Sequence, residues 1–162
     1  MYANKTVRDI MVPIGEYPVI YEKTPVSEAI RVMRDSFHQK DGTWHGFQSV
    51  LVVNGNEKLV GILTLRGFLK AFKIQAILDH ILKGDPLGLF FMPRFYSGLE
   101  IQTRDIMRPL EIVTVEAGSS IFDAIATVVR GKVNSLPVFS GADLVGVVRT
   151  IDLFWAVGEC LD

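Results

Sequence analysis

Five residues near the N-terminus, Val7-Arg8-Asp9-Ile10-Met11, return as Thr103-Arg104-Asp105-Ile106-Met107 at an offset of 96 residues, and this internal repeat constrains the fold most. Each copy is followed, in the same order, by a β-branched stretch, a helix opener, a helix core built on Ala-Ile, an apolar strand and a Val-Gly turn. The β-branched stretches are Val19-Ile20-Tyr21 and Ile112-Val113-Thr114-Val115. Thr24 with Pro25 reads as an N-cap followed by proline at the first helical position, where its missing N–H costs nothing. Ser119 takes the capping place in the second copy. Behind these openers Val26, Ala29, Ile30, Met33 and Phe37 recur at helical spacing, and Ile121, Ala124, Ile125 and Val128 repeat the start of that stripe. Both helices are expected to cover a shared core.

After the helix come Ser49-Val50-Leu51-Val52-Val53, a polar turn at Asn54-Gly55-Asn56-Glu57, and Leu59-Val60-Gly61-Ile62-Leu63. The second copy gives Leu136-Pro137-Val138-Phe139, a turn at Ser140-Gly141-Ala142-Asp143, and Leu144-Val145-Gly146-Val147-Val148. Each pair reads as two strands joined by a hairpin, and strands so continuously apolar are expected to be covered on both faces. A final helix spans Phe68 to Leu82 in one copy and Leu153 to Leu161 in the other. Each repeat therefore reads strand, helix, strand, strand, helix. One such unit has too little core to stand alone, whereas two packed face to face bury their sheets together.

The expected organisation is repeat 1 over residues 1–82, an apolar connector over 83–101 and repeat 2 over 102–162. The first copy is 11 residues longer between its Asp and its Gly, and most of the excess is an insert at about 37–47. That insert carries an Asp41-Gly42 turn signal and reads as a loop or small hairpin. The connector contains Leu89-Phe90-Phe91-Met92 and is too apolar to float in water, so it should pack on something.

Composition narrows the function. Seventeen basic residues against 18 acidic ones leave a formal charge of −1, which provides no sequence-wide field for a nucleic-acid backbone. Any anion site must be local. Cys160 is the one cysteine, so no intrachain disulfide forms, as expected of a reducing compartment. No apolar run approaches the roughly 20 residues of a membrane span, and the first residues lack the hydrophobic stretch of a signal peptide. The expectation is a cytoplasmic protein.

The ordered motifs Arg104-Asp105-Ile106-Met107, Val133-Asn134-Ser135-Leu136-Pro137-Val138 and Leu144-Val145-Gly146-Val147-Val148 with Ile151-Asp152-Leu153 resemble those of the tandem CBS domains, named after cystathionine beta-synthase. The resemblance runs from about Val7 to Phe154. It implies an α/β (α+β) fold of two pseudo-two-fold related β-α-β-β-α repeats packed sheet to sheet. It also implies a homodimer and clefts between the repeats for AMP, ADP, ATP, S-adenosylmethionine or a related adenosyl ligand.

The binding signature of that family is Gly, two apolar residues, Thr or Ser, two variable residues, Asp. Its chemistry is that a carboxylate accepts both ribose hydroxyls while a hydroxyl donates to a phosphate or ribose oxygen. The signature is split here. Gly61-Ile62-Leu63-Thr64-Leu65-Arg66-Gly67 keeps Thr64 but has Gly67 in place of the Asp. Gly146-Val147-Val148-Arg149-Thr150-Ile151-Asp152 keeps Asp152 but has Arg149 in place of the Thr, with Thr150 one position late. In the family the adenine cradle comes from the opposite repeat. The resemblance thus pairs Asp152, Arg149 and Thr150 with Pro18, Phe47, Gln48 and Ser49 as the main nucleotide cleft. It pairs Thr64 with Ile112, Val133, Asn134 and Ser135 as a second, weaker one.

Other readings of these residues stand beside the functional ones. Asp152 and Thr64 are also placed to cap the helices they precede, and Arg149 to be a solvated surface charge. His38, Asp41 and His45 match no standard zinc spacing, and His80 is remote in sequence, so no metal is expected. No Walker A loop, nucleophile elbow or activated cysteine is present, so neither an enzyme nor a catalytic cofactor is expected. The functional expectation is a regulatory ligand sensor that signals in trans to an unidentified effector protein, with no nucleic acid or membrane partner. The alternative is a structural oligomerisation or protein-interaction module that has lost nucleotide binding.

Overall fold

The computed structural model describes residues 5–73, 101–109 and 113–161. The first copy runs α1 (Val7–Ile10), β1 (Val12–Pro13), a 3-10 turn (Ile14–Glu16), β2 (Val19–Tyr21) and α2 (Val26–Asp35). It continues with β3 (His38–Lys40), β4 (Thr43–His45), β5 (Ser49–Val53) and β6 (Leu59–Thr64), then helix α3 through residues 65–73. The second copy runs α4 (Thr103–Ile106), β7 (Arg108–Pro109), β8 (Val115–Glu116), α5 (Ile121–Gly131), β9 (Ser135–Ser140), β10 (Asp143–Arg149) and α6 (Thr150–Gly158). The repeated order strand, helix, strand, strand, helix is present in both. In each copy a one-turn helix and a two-residue strand precede it.

The compact units do not follow the order of the repeats along the chain. One unit comprises Met1–Tyr17 with Leu110–Asp162, and the other Pro18–Pro109. The compact units are not the copies taken whole, because each copy gives its opening segment to the sheet of the other.

In the unit Pro18–Pro109 the strand order is β2-β5-β6-β7, with β2 parallel to β5 and the other pairs antiparallel. All five residues of the inner strand β5 are buried, as its unbroken apolar run requires. Helix α2 lays Val26, Ala29 and Met33 on a core with Ile20, Val50, Val52, Leu63, Phe68 and Ala71, while Ile30 and Phe37 pack at its edge. Its N-cap is Pro25, with no side-chain cap, so the expected Thr24 cap is corrected. Thr24 is instead held by its carbonyl, which accepts the Thr103 N–H at 2.9 Å and the Thr103 hydroxyl at 2.7 Å.

In the other unit the order is β1-β10-β9-β8, with β8 parallel to β9 and the other pairs antiparallel. Ser120, not Ser119, caps α5, accepting the Asp123 N–H at 3.1 Å. The Ser119 carbonyl accepts the Val7 N–H at 2.9 Å, which repeats the Thr24 arrangement. Ile121, Ala124 and Val128 join Val7, Val115, Leu136, Val138, Val148, Leu153 and Ala156 in a second core. The β-branched stretch expected from Ile112 forms a strand only at Val115–Glu116, and Ile112 lies outside the described residues.

The expected Val-Gly turns are not turns. Gly61 lies inside β6 and Gly146 inside β10, each facing the exchanged strand. A Cβ on Gly146 would stand 2.5 Å from the Val12 carbonyl oxygen and 2.7 Å from Met11 Sδ. A Cβ on Gly61 would stand 2.7 Å from both the Arg108 carbonyl oxygen and Met107 Sδ. These glycines are there for close approach of a strand and a methionine, not for chain reversal.

The insert forms the β3–β4 hairpin, with His38 opposite His45 and Lys40 opposite Thr43. Its two turn residues, Asp41 and Gly42, have φ of 52° and 78°, the left-handed pair that matches the twist of a two-residue hairpin. Helix α6 starts at Thr150, three residues before the expected Leu153. Residues 74–100, with the rest of the helix expected to reach Leu82 and most of the connector, lie outside the described residues. Among the described residues no helix is long and apolar enough to cross a membrane.

The one-turn helices α1 and α4 are too short to persist by propagation and are closed by carboxylates. Asp9 accepts the Thr6 N–H at 2.7 Å and the Thr6 hydroxyl at 2.9 Å, and Asp105 accepts the Gln102 N–H at 2.9 Å. The backbone and then the side-chain bond from Thr6 hold the Asp9 carboxyl below its ordinary value of 3.8. A lowered folded-state pKa contributes stability that is complete above 3.8 and is lost as pH falls through the folded value. Asp9→Asn should therefore melt below wild type at neutral pH, with the gap closing as pH drops under 3.8 in a series of thermal melts. Gly61→Ala and Gly146→Ala should each lower the unfolding free energy by about 1–3 kcal/mol in urea titrations, the range for overpacking a filled site.

Candidate functional site

Strand β10 passes into α6 without an intervening loop, so Arg149 is both the last strand residue and the helix N-cap. The first N–H groups of any helix lack internal partners. Asp152, in the first turn, folds back and accepts the Arg149 backbone N–H at 2.9 Å. The Arg149 guanidinium closes on the same carboxylate, Nε to Oδ2 at 2.8 Å and Nη2 to Oδ1 at 2.6 Å. This is the two-pronged geometry that makes arginine–carboxylate pairs strong and directional. The pair is mostly withdrawn from solvent, with side-chain exposures of 28% for Arg149 and 14% for Asp152. The hydrogen bonds to Asp152 raise the guanidinium above its ordinary value, with burial opposing and the Asp152 charge and Tyr17 adding.

The capping reading of Asp152 is thus realised, and the reading of Arg149 as a solvated charge is corrected. Strand pairing puts Ser135 opposite Arg149, and the exposed Thr150 donates its N–H to the Asn134 carbonyl at 3.0 Å. Val133 is half-buried just after Lys132, a left-handed residue with φ of 51° that ends α5. Tyr17, only 5% exposed, belongs to the same unit as Arg149. Sequence reasoning missed Tyr17, although its neighbour Pro18 was singled out.

The Thr64 end of β6 holds the complementary half of the same device. The Thr64 hydroxyl accepts the Gly67 N–H at 3.2 Å, so it too caps a helix. Ser49, buried, stands opposite Thr64, and the exposed Gln48 accepts the Leu65 N–H on its carbonyl at 3.2 Å. Phe47 is half-buried, and the Pro18 carbonyl accepts the Leu51 N–H at 3.0 Å. A Cβ at Gly67 would sit 2.8 Å from Leu63 Cδ1 and 3.2 Å from the Ile106 carbonyl oxygen. The absent Asp therefore has no ready space, since Leu63 is itself fully buried.

Within each unit, then, a signature lies beside the strand of its own repeat: Arg149, Thr150 and Asp152 with Asn134 and Ser135, and Thr64 with Gln48 and Ser49. The pairings expected across repeats combine residues of different units. Asp152 and Arg149 belong to one unit while Pro18, Phe47, Gln48 and Ser49 belong to the other, and Thr64 is likewise divided from Val133, Asn134 and Ser135. Among the described residues no group of three His, Cys, Asp or Glu side chains gathers.

Residues 7–74 and 104–159 match the family model of the CBS domain, and the chain belongs to that family. Its two copies are two CBS repeats, and similar folds are found in stand-alone CBS-pair proteins. One is the CBS-pair protein CBSX2 from Arabidopsis thaliana, with 20% identity, a TM-score of 0.68 and coverage of 98% of this chain and 97% of that chain. A structure of CBSX2 in complex with AMP also has 20% identity and a TM-score of 0.68, covering 97% of this chain and 98% of that chain. The CBS domain of a CBS domain containing membrane protein from Sphaerobacter thermophilus follows at 20% identity and 0.67, covering 96% and 89% of the two chains. At such identities the likeness establishes the fold. No curated protein matches the chain.

Asp152→Ala should lower the unfolding free energy by about 1–2 kcal/mol, by removing the cap and the two charge-assisted bonds that Asp152 accepts from the guanidinium. In an Arg149→Thr background the same change should cost less. A double-mutant cycle by urea denaturation reads the difference, and strict additivity would contradict a coupled pair.

Proposed function

We propose that this CBS pair is a regulatory module that binds an adenosyl nucleotide at the Asp152 site and passes the bound state to an effector protein. The observation that carries the reading is a carboxylate and a guanidinium held together at the first turn of α6, beside the exposed Thr150 and Asn134. The carboxylate suits a ribose diol, the guanidinium suits a phosphate, and a helix N-terminus adds favourable potential for an anion. That CBSX2, which has the same fold, was solved with AMP supports the ligand class. The Thr64 site is the weaker one in this proposal because Gly67 supplies no carboxylate. The module acts as a homodimer in the cytoplasm, without catalysis or a catalytic cofactor. Support for dimerisation comes from the apolar side chains left exposed on α5 and α6, namely Phe122, Val129, Phe154 and Trp155.

The capping roles of Asp152 and Thr64 favour a second reading, a structural oligomerisation module in which the split signatures serve only the fold. One experiment separates the two. The chain is melted alone and with AMP, ADP, ATP, S-adenosylmethionine or NAD, with light scattering to follow its oligomeric state. Ligand at about 100 times its dissociation constant adds about 2.7 kcal/mol, or about 5–10 °C in melting temperature for a chain of this size. Such a shift, abolished in Asp152→Ala, supports the sensor. A stable dimer indifferent to every ligand supports the structural module.

A further inference from the structure

Arg149 stands where the sequence pattern calls for a hydroxyl, and it consumes the acceptor capacity of the very group assigned to the ribose. Asp152 accepts at least three hydrogen bonds from Arg149, one from the backbone and two from the guanidinium. A carboxylate offers about four lone-pair positions, and a ribose diol needs two of them. The closed pair is therefore one position short. The backbone bond belongs to the helix cap, so the guanidinium has to leave if a ribose is to enter.

We infer that Arg149 makes the Asp152 site selective for adenosyl ligands that carry a phosphate, because the guanidinium exchanges the carboxylate for the ligand's own anion. This rests on the proposed role of Asp152 and narrows it to a ligand class. Breaking the two charge-assisted bonds of a mostly buried guanidinium without replacing them is costly. A phosphate removes that cost, since it accepts the same two parallel N–H bonds. Adenosine offers no anion. S-adenosylmethionine carries its carboxylate beside an ammonium and a sulfonium, so its net charge opposes the guanidinium. The same step couples binding to shape, because a ligand that draws Arg149 away leaves α6 capped by Asp152 alone. At the other copy Gly67 supplies no carboxylate, so no exchange of this kind applies there.

The test is calorimetric titration of the full chain with AMP, adenosine and S-adenosylmethionine, on wild type, Arg149→Thr and Arg149→Gln. Arg149→Thr rebuilds a Thr-x-x-Asp capping box with Asp152, which protects the fold, and thermal melts verify it. Wild type should bind AMP at least about tenfold more tightly than either other ligand, the range of one charge-assisted contact. In both variants adenosine should tighten by about threefold or more while AMP weakens, bringing their affinities together. A wild type that binds none of the three, with an Arg149→Thr protein that binds adenosine, also overturns the inference, because the guanidinium then stays on Asp152 even when a phosphate is offered. Unchanged preference for AMP in both variants overturns the inference and leaves the sensor reading intact, as does adenosine weakening in step with AMP. No binding to any of the three proteins removes both.

Discussion

Each sheet is finished by a strand of the other repeat, and that strand occupies the space a side chain on Gly61 or Gly146 would need. The rest of the architecture is arranged around this contact. Met11 and Met107 lie against the two glycines, Val12 and Arg108 lay their carbonyls across them, and the preceding one-turn helices aim the strands. Those helices are anchored at their N-terminal ends. Their first N–H groups reach Ala117 and Ser119 in one unit and Glu22 and Thr24 in the other, while Val7 and Thr103 are buried completely. Burying a valine contributes about 1.5–3 kcal/mol, and the matching threonine is accommodated because its hydroxyl finds the Thr24 carbonyl. The pseudo-symmetry is thus carried by contacts, atom for atom, and not only by order of elements.

A second economy is the reuse of one helix-starting device. A carboxylate three positions into a helix folds back to the first N–H at Asp9, Asp105 and Asp152, and Ser120 and Thr64 supply the reciprocal bond at theirs. The nucleotide signature of the family, hydroxyl and carboxylate separated by two residues, has the spacing of a capping box. The two copies have divided that box between them, Thr64 keeping the hydroxyl and Asp152 the carboxylate. The atoms that the family signature offers to a ligand are the same ones a helix terminus uses, and at Asp152 the Arg149 backbone and guanidinium already occupy them.

The fold was legible wherever a residue's role depends on near neighbours. The repeat, the buried strand β5, the stripes on α2 and α5 and the Asp41-Gly42 hairpin all follow from spacing and turn chemistry. What escaped depends on partners far along the chain. Val60-Gly61 and Val145-Gly146 read as turns because glycine so often marks one, and only the methionine opposite each explains its place within a strand. The helix opener slipped by one residue from Ser119 to Ser120 since either hydroxyl fits the pattern, and the choice follows from which carbonyl receives Val7. At the site, the sequence named the residues of each signature, but the strand pairing that sets Ser135 opposite Arg149 and Ser49 opposite Thr64 was not legible, because it joins residues 14 and 15 positions apart through a hairpin register. The capping-box spacing itself was available in the sequence, and it foretells that Thr64 and Asp152 are already engaged.

The exchange of opening segments also sets an order of events during synthesis. The unit Pro18–Pro109 is continuous, and the four strands of its described sheet are complete once β7 has emerged from the ribosome. The other unit is made of the first and last parts of the chain. Strand β1 therefore waits for β10, a delay on the order of ten seconds at ordinary elongation rates. Through that interval an apolar N-terminal segment, Val7 and Ile10 to Val12, is without its sheet and open to a chaperone or to the same segment of a neighbouring nascent chain.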